Sequence, residues 1–147
     1  MDLIRRNTDY ALRLVTSLAA QPDTGEVMSA RNLSELNKVP YTLACKLLQR
    51  YQKAGIVNST MGPKGGFCLA RRPSEITILE LVETIQGTIR VNRCLIAPLV
   101  CPVQQNCPLH PKLADLQEEI QRYLRNTTLA EVIKTEKTES IFRTKPS

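Results

Sequence analysis

Residues 29–72 constrain the fold more than any other stretch, because helix, turn and strand signals fall there in a fixed order. Ser29 is a good N-cap for a short helix ending near Leu36, and Asn37-Lys38-Val39 makes a turn. Pro40 suits the first position of a second helix that runs to Ala54 and is stopped by Gly55. Ile56-Val57-Asn58-Ser59-Thr60 is then short and β-branched, Met61-Gly-Pro-Lys-Gly-Gly66 is a turn cluster, and Phe67-Cys68-Leu69-Ala70 is apolar again. The second run reads as a β-hairpin with a basic, glycine-rich tip.

In the second helix Leu43, Leu47 and Tyr51 mark a buried face, while Thr42, Lys46, Arg50 and Lys53 recur on another. A polar, basic stripe of this kind is either a solvated face or a recognition surface, and on spacing alone the two are even. The hairpin that follows tips the balance, since helix, turn, helix and wing together predict a winged helix-turn-helix. Tyr41 and Thr42, in the first turn of the second helix, are placed to meet base edges. Lys46, Arg50, Lys53 and Lys64 are placed to meet phosphates, and Ser59 lies on the wing strand. Gly65 and Gly66 would let the wing backbone approach a phosphate closely. Charge agrees with this placement. Residues 1–72 hold eleven Lys/Arg against five Asp/Glu and residues 73–147 hold nine against nine, so the whole net charge of +6 lies in the first half.

Elsewhere the elements are mostly helical. Thr8 is expected to cap a helix through roughly Ala20, with Tyr10, Leu14 and Leu18 at helical spacing, and Thr77-Ile-Leu-Glu80 is a capping box for a helix ended by Gly87. Leu113, Leu116, Ile120 and Leu124 define an amphipathic helix from about Lys112 to Arg125, a natural dimerisation element that could also fold back in part onto its own domain. From about Thr135 the sequence lacks apolar periodicity and reads as a mobile tail. The expected organisation is a DNA-binding domain over residues 1–87, a cysteine-bearing loop over 88–111, a dimerisation helix over 112–134 and a tail over 135–147.

The loop gathers three thiols and the only histidine as Cys-x6-Cys-x5-Cys-x2-His, namely Cys94, Cys101, Cys107 and His110. Thiolates with an imidazole suit zinc or an iron–sulfur cluster and not magnesium or calcium. Free cysteines more often serve as small core hydrophobes, but four prolines and the lack of a helical or alternating period put these on a loop. Cys45 and Cys68, among apolar neighbours, keep the core-hydrophobe assignment. No basic-then-apolar leader and no apolar run of membrane-spanning length is present, so a cytoplasmic protein without a membrane partner is expected. Five cysteines in a reducing compartment favour metal or redox chemistry over a disulfide framework. An enzyme is disfavoured, because no paired carboxylates, nucleophile–base set or phosphate loop appears. The alternatives left open are a DNA-binding regulator with a structural zinc or thiol switch, and an iron–sulfur electron carrier, which would not need a basic recognition helix.

Thr8-Asp9-Tyr10-Ala11-Leu12, Lys53-Ala54-Gly55, Gly65-Gly66-Phe67, Glu75-Ile76-Thr77 and the spaced cysteines, taken together, resemble the IscR–NsrR family of bacterial transcription regulators over nearly the whole chain. The resemblance implies a mainly α fold with a small β-hairpin wing and a long dimerisation helix. It implies a homodimer that binds double-stranded DNA and senses cluster status, iron, nitric oxide or redox state, as a repressor or an activator, and a two-fold protein is expected to read a palindromic operator. It also implies a two-iron two-sulfur or four-iron four-sulfur cluster held by Cys94, Cys101 and Cys107. The fourth ligand would be His110, as in IscR-like members, or Asp9, as in NsrR-like ones, with His110 preferred because it is local to the cysteines. The chain departs from the family at Met61, where many relatives carry arginine, and in a first cysteine interval one residue longer than the commonest spacing.

Overall fold

In a computed structural model, residues 2–23, 25–98 and 100–134 are described. The order is α1 (Arg6–Ala19), α2 (Ala30–Asn37), α3 (Tyr41–Lys53), β1 (Val57–Thr60), β2 (Gly66–Leu69), α4 (Ile78–Gln86), α5 (Leu109–Asn126) and α6 (Leu129–Ile133). The expected mainly α fold with a hairpin wing is what forms.

The helix-turn-helix follows from local chemistry. Ser29 Oγ accepts from Asn32 N at 3.0 Å and starts α2. Lys38 then adopts a left-handed conformation at φ 53°, turning the chain into Pro40, which sits at the N-cap of α3 and not at its first helical position. Gly55, at φ 75°, releases α3 into the wing. There β1 and β2 pair antiparallel with Val57 opposite Leu69 and Thr60 opposite Gly66. Met28 adds a bridge to the outer strand, exchanging two backbone hydrogen bonds with Phe67 at 2.9 and 2.8 Å. The wing is thus tied to the residue that precedes the cap of α2.

Leu14, Leu18, Leu33, Leu48, Tyr51, Ile56 and Ile76 meet in one core of fully buried side chains. Each such aliphatic group contributes about 1.5–3 kcal/mol by leaving water. Tyr51 satisfies its hydroxyl there by donating to Leu81 O at 3.2 Å, so α3 and α4 share a polar tie inside an apolar interface. Burial pushes the Tyr51 phenol well above its ordinary value, against a smaller opposing effect of Arg50.

Three further sequence expectations change. Thr8 does not cap α1, which begins at Arg6 with no side-chain cap. Its hydroxyl is buried and donates instead to Gln86 Oε1 at 2.7 Å, a bond across 78 residues that also recruits Arg5 N at 3.0 Å. The capping box at α4 is half formed: Thr77 Oγ1 accepts from Glu80 N at 3.1 Å, but the Glu80 carboxylate pairs with Arg71. Residues 112–134 are not one helix. The chain leaves helical conformation at Thr127 and Thr128, where Ile78 N donates to Thr127 O and Leu129 N donates to Ile76 O, at 2.9 and 2.8 Å. Thr128 then caps α6, which buries Leu129 completely in the main core. Of the α5 stripe, Ile120 and Leu124 pack on Leu79, Val82 and Ile89, while Leu116 stays 47% exposed. The proposed tail from Thr135 lies outside the described residues.

Candidate nucleic-acid interface and cysteine loop

The stripe expected on α3 is solvent-facing. Tyr41, Thr42, Lys46, Arg50 and Lys53 are all exposed, while Ala44, Leu47, Leu48 and Tyr51 are buried behind them. Arg50 is committed internally, however, since its Nη2 donates to Thr84 O at 3.1 Å and pins the end of α3 to α4. Sequence reasoning missed Arg31, whose guanidinium carbon lies 4.7 Å from the centroid of the Tyr41 ring. A cation stacked on an exposed ring contributes about 0.5–1 kcal/mol and here orients the first side chain of α3. The pair is ten residues apart in sequence and spans two helices, so no local pattern announces it.

On the wing, Ser59 and Lys64 are exposed and Met61 is 93% exposed at the tip. The two glycines do something other than leave an open approach. A Cβ on Gly65 would lie 2.1 Å from Thr60 O, and one on Gly66 would lie 2.2 Å from Met28 O. Their missing side chains make room for this chain's own backbone, one in the hairpin turn and the other against the Met28 strap. Cys68 and Cys45 are half-buried and belong to neither buried core cluster, so they sit at the rim and not inside the core.

Beyond α4 the chain runs through two short 3-10 turns, Arg93–Leu95 and Gln104–Asn106. Cys94, Cys101 and Cys107 are free and half-buried. From Cys101 to His110 the backbone advances by three-residue turns: Gln104 N donates to Cys101 O at 3.1 Å, Cys107 N to Gln104 O at 3.5 Å, and His110 N to Cys107 O at 3.2 Å. This spiral leads directly into α5, of which His110 is the second residue. Cys107 and His110 share the wall of a pocket of about 260 Å³. His110 Nε2 lies 3.5 Å from Gln104 Nε2, and its Nδ1 is buried without a hydrogen-bond partner. An orphaned imidazole nitrogen beside a thiol suits a thiophilic metal. Cys94 stands apart from the spiral, its Sγ accepting from Asn92 Nδ2 at 3.7 Å. Among the described residues no three of His, Cys, Asp and Glu converge on a common point. The donor types, three thiols and an imidazole, suit a thiophilic metal or cluster, while the three thiols stand apart in this structure.

Asp9 lies on α1, exposed, and pairs with Arg13 at 3.2 Å. Arg13 in turn donates from Nη1 to Asn37 O at 3.1 Å, at the turn between α2 and α3. Asp9 and His110 thus sit on separate elements, one on α1 and the other in the first turn of α5.

A family model described as Rrf2, an iron-dependent transcriptional regulator, matches residues 4–135. The chain belongs to the Rrf2 family. It is 32% identical over 126 residues to the HTH-type transcriptional repressor NsrR of Streptomyces coelicolor, covering 86% of this chain and 84% of that protein. It is 29% identical over 124 residues to the HTH-type transcriptional regulator IscR of Klebsiella pneumoniae, covering 84% and 75%. In three dimensions it is similar to CymR, the global cysteine regulator of Bacillus subtilis, with a TM-score of 0.74 at 20% identity over 91% of this chain and 98% of that one. This Rrf2 protein is a transcription regulator of a family that works by binding DNA, and such regulators are not enzymes. No helix among the described residues is long and apolar enough to cross a membrane.

Proposed function

We propose that this Rrf2 protein is a homodimeric, sequence-specific DNA-binding regulator whose Cys94–His110 loop holds an iron–sulfur cluster. The observation that carries the reading is the continuity at His110, where one residue with an unpartnered imidazole nitrogen ends the cysteine spiral and lies in the first turn of α5. Cys94, Cys101, Cys107 and one of His110 or Asp9 would hold the cluster. When bound, it supplies redox-, iron- or nitric-oxide-sensitive ligation at the loop.

The chain's own residues do the rest. Tyr41, held by Arg31, and Thr42 enter the major groove at the start of α3, where side chains meet base edges. Lys46, Lys53 and Lys64 meet phosphates, and Ser59 borders the wing contact, while Arg50 stiffens the base of the helix through Thr84. Leu116 and Tyr123, exposed along α5, form the seam between two copies. A two-fold protein would read a palindromic operator.

The test is anaerobic purification with iron, sulfide and absorbance measurement, followed by DNA binding with and without the cluster. Alanine at Cys94, Cys101 or Cys107 is expected to abolish iron binding in a still folded protein, because none of the three lies in the core. Full iron retention in any one of them refutes the ligand set, and an iron-free preparation carrying zinc replaces the cluster with a structural metal. Iron content of His110→Ala against Asp9→Ala decides the fourth ligand. An unchanged His110→Ala with a bleached Asp9→Ala assigns it to Asp9.

A further inference from the structure

Between the first residues of the chain, the end of α4 and the segment leading to Cys94 lies a cavity of about 340 Å³. Arg5, Arg90 and Arg93 line it against a single carboxylate, Asp2. Among the described residues none of these three guanidinium groups has a hydrogen-bond or ion-pair partner. Among the described residues Arg13 is committed to Asp9 and Asn37, Arg50 to Thr84, Arg71 to Glu80 and Arg122 to Glu119, whereas Arg6 and Arg125, which also lack such partners, do not line the cavity. Three uncommitted guanidinium groups around one concavity repel one another, and an anion in their midst relieves that repulsion.

The walls are held in place. Gln86 accepts from Arg5 N at 3.0 Å and from Thr8 Oγ1 at 2.7 Å, and donates to Leu3 O at 2.9 Å, so the backbone carrying Arg5 is fixed against α4. Asn92 Oδ1 accepts from Arg93 N at 2.9 Å, while its amide reaches Cys94 Sγ. Val91, Ile96 and Ile120 supply an apolar side.

We propose that this cavity is a binding site for a phosphate- or carboxylate-bearing anion, gripped by Arg5, Arg90 and Arg93. Planar guanidinium forks match both headgroups bidentately. The site needs no cluster and is separate from the α3 and wing contacts; only its DNA-phosphate form rests on the DNA binding proposed above. Its anion comes from one of two sources, a free small molecule with a short apolar body or a backbone phosphate of bound DNA.

Calorimetric titration of the full chain with inorganic phosphate, in a chloride buffer, is paired with a salt titration of DNA binding. The variant is Arg90→Gln with Arg93→Gln, both exposed. The charge-matched control is Lys112→Gln with Arg125→Gln, exposed on α5 and outside the cavity. For a free anion, phosphate binding weakens roughly tenfold or more in the variant, the scale of one charge-assisted hydrogen bond, and holds in the control. Asp2→Asn tightens it, and the DNA salt slope of the variant stays at the wild-type value. For a DNA phosphate, the log–log salt slope of the variant falls by about 0.9 per lost contact, whatever free phosphate does. Equal phosphate affinity in variant and control, together with an unchanged slope, overturns the site.

Discussion

Replacing Gly66 by alanine tests whether the wing glycine serves DNA or the fold. Gly66 opens β2 at φ 156°, and a Cβ there would come within 2.2 Å of Met28 O and 2.8 Å of Ser29 Cα. Both neighbours are backbone, so nothing flexible can yield. The push falls on the strap in which Met28 and Phe67 exchange two hydrogen bonds, and next to the serine that caps α2. Losing the two bonds costs about 0.5–1.5 kcal/mol each. Forcing a residue with a side chain into this backbone region adds about 1–3 kcal/mol, for a total of about 2–6 kcal/mol. That is a large share of a stability of about 5–15 kcal/mol. With a urea dependence of about 1–3 kcal/mol per molar, the midpoint followed by circular dichroism should drop by about 1–2 M at unchanged slope. A midpoint equal to that of wild type refutes the packing argument. If DNA affinity falls while the midpoint does not, the glycine faces a phosphate instead of Met28.

Leu129→Ala should destabilise by about 2–5 kcal/mol in urea unfolding, because Leu129 is fully buried in the main core; a loss below about 1 kcal/mol would detach α6 from the DNA-binding unit. The raised phenol of Tyr51 keeps its proton in the folded state when the unfolded chain releases it, so stability should fall as pH rises above the ordinary value of 10.0, by up to about 1.4 kcal/mol per unit. Tyr51→Phe should remove that component from a pH series of unfolding curves, and an identical alkaline decline in both proteins contradicts it. Alanine at Lys46, Lys53 or Lys64 should lower the salt slope of DNA binding by about one unit each on specific and random duplexes alike, whereas Arg50→Ala, whose guanidinium is held by Thr84, should lower it less. Slopes unchanged in all three lysine variants would make the stripe a solvated face only.

Local chemistry accounts for what the sequence revealed of the fold. The Ser29 cap, the left-handed Lys38, the stop at Gly55 and the hairpin each depend on residues within a few positions of one another. Thr8 looked like a cap because its type suits one, yet its partner Gln86 is 78 residues away and invisible to any local rule. The break before α6 did leave a signal in Thr128-Leu129-Ala130-Glu131, a second capping-box pattern that the longer amphipathic period of α5 masked. At the site, residue types and spacing marked the exposed face of α3 and put the three cysteines outside the regular helices, but did not reveal Arg31 on Tyr41 or the internal commitment of Arg50. Those are contacts between helices. Nor could spacing reveal that Cys94 hangs on Asn92 while Cys107 and His110 share a pocket.

The return of the chain at Thr127 makes α5 a lever with a fixed end. The residues just past its end, Thr127 and Leu129, are hydrogen-bonded to Ile78 N and Ile76 O, whereas its second residue is His110, where the cysteine spiral ends. Eighteen residues at 1.5 Å each span about 27 Å, so a 1 Å shift at the histidine end with the other end held is a tilt of about two degrees. A shift at the loop end would therefore move the exposed residues Leu116 and Tyr123 by displacements graded along the helix, smallest nearest Thr127. In the homodimer proposed above, with α5 as the seam, such a tilt would change the angle between the two α3 helices without changing the fold of either copy.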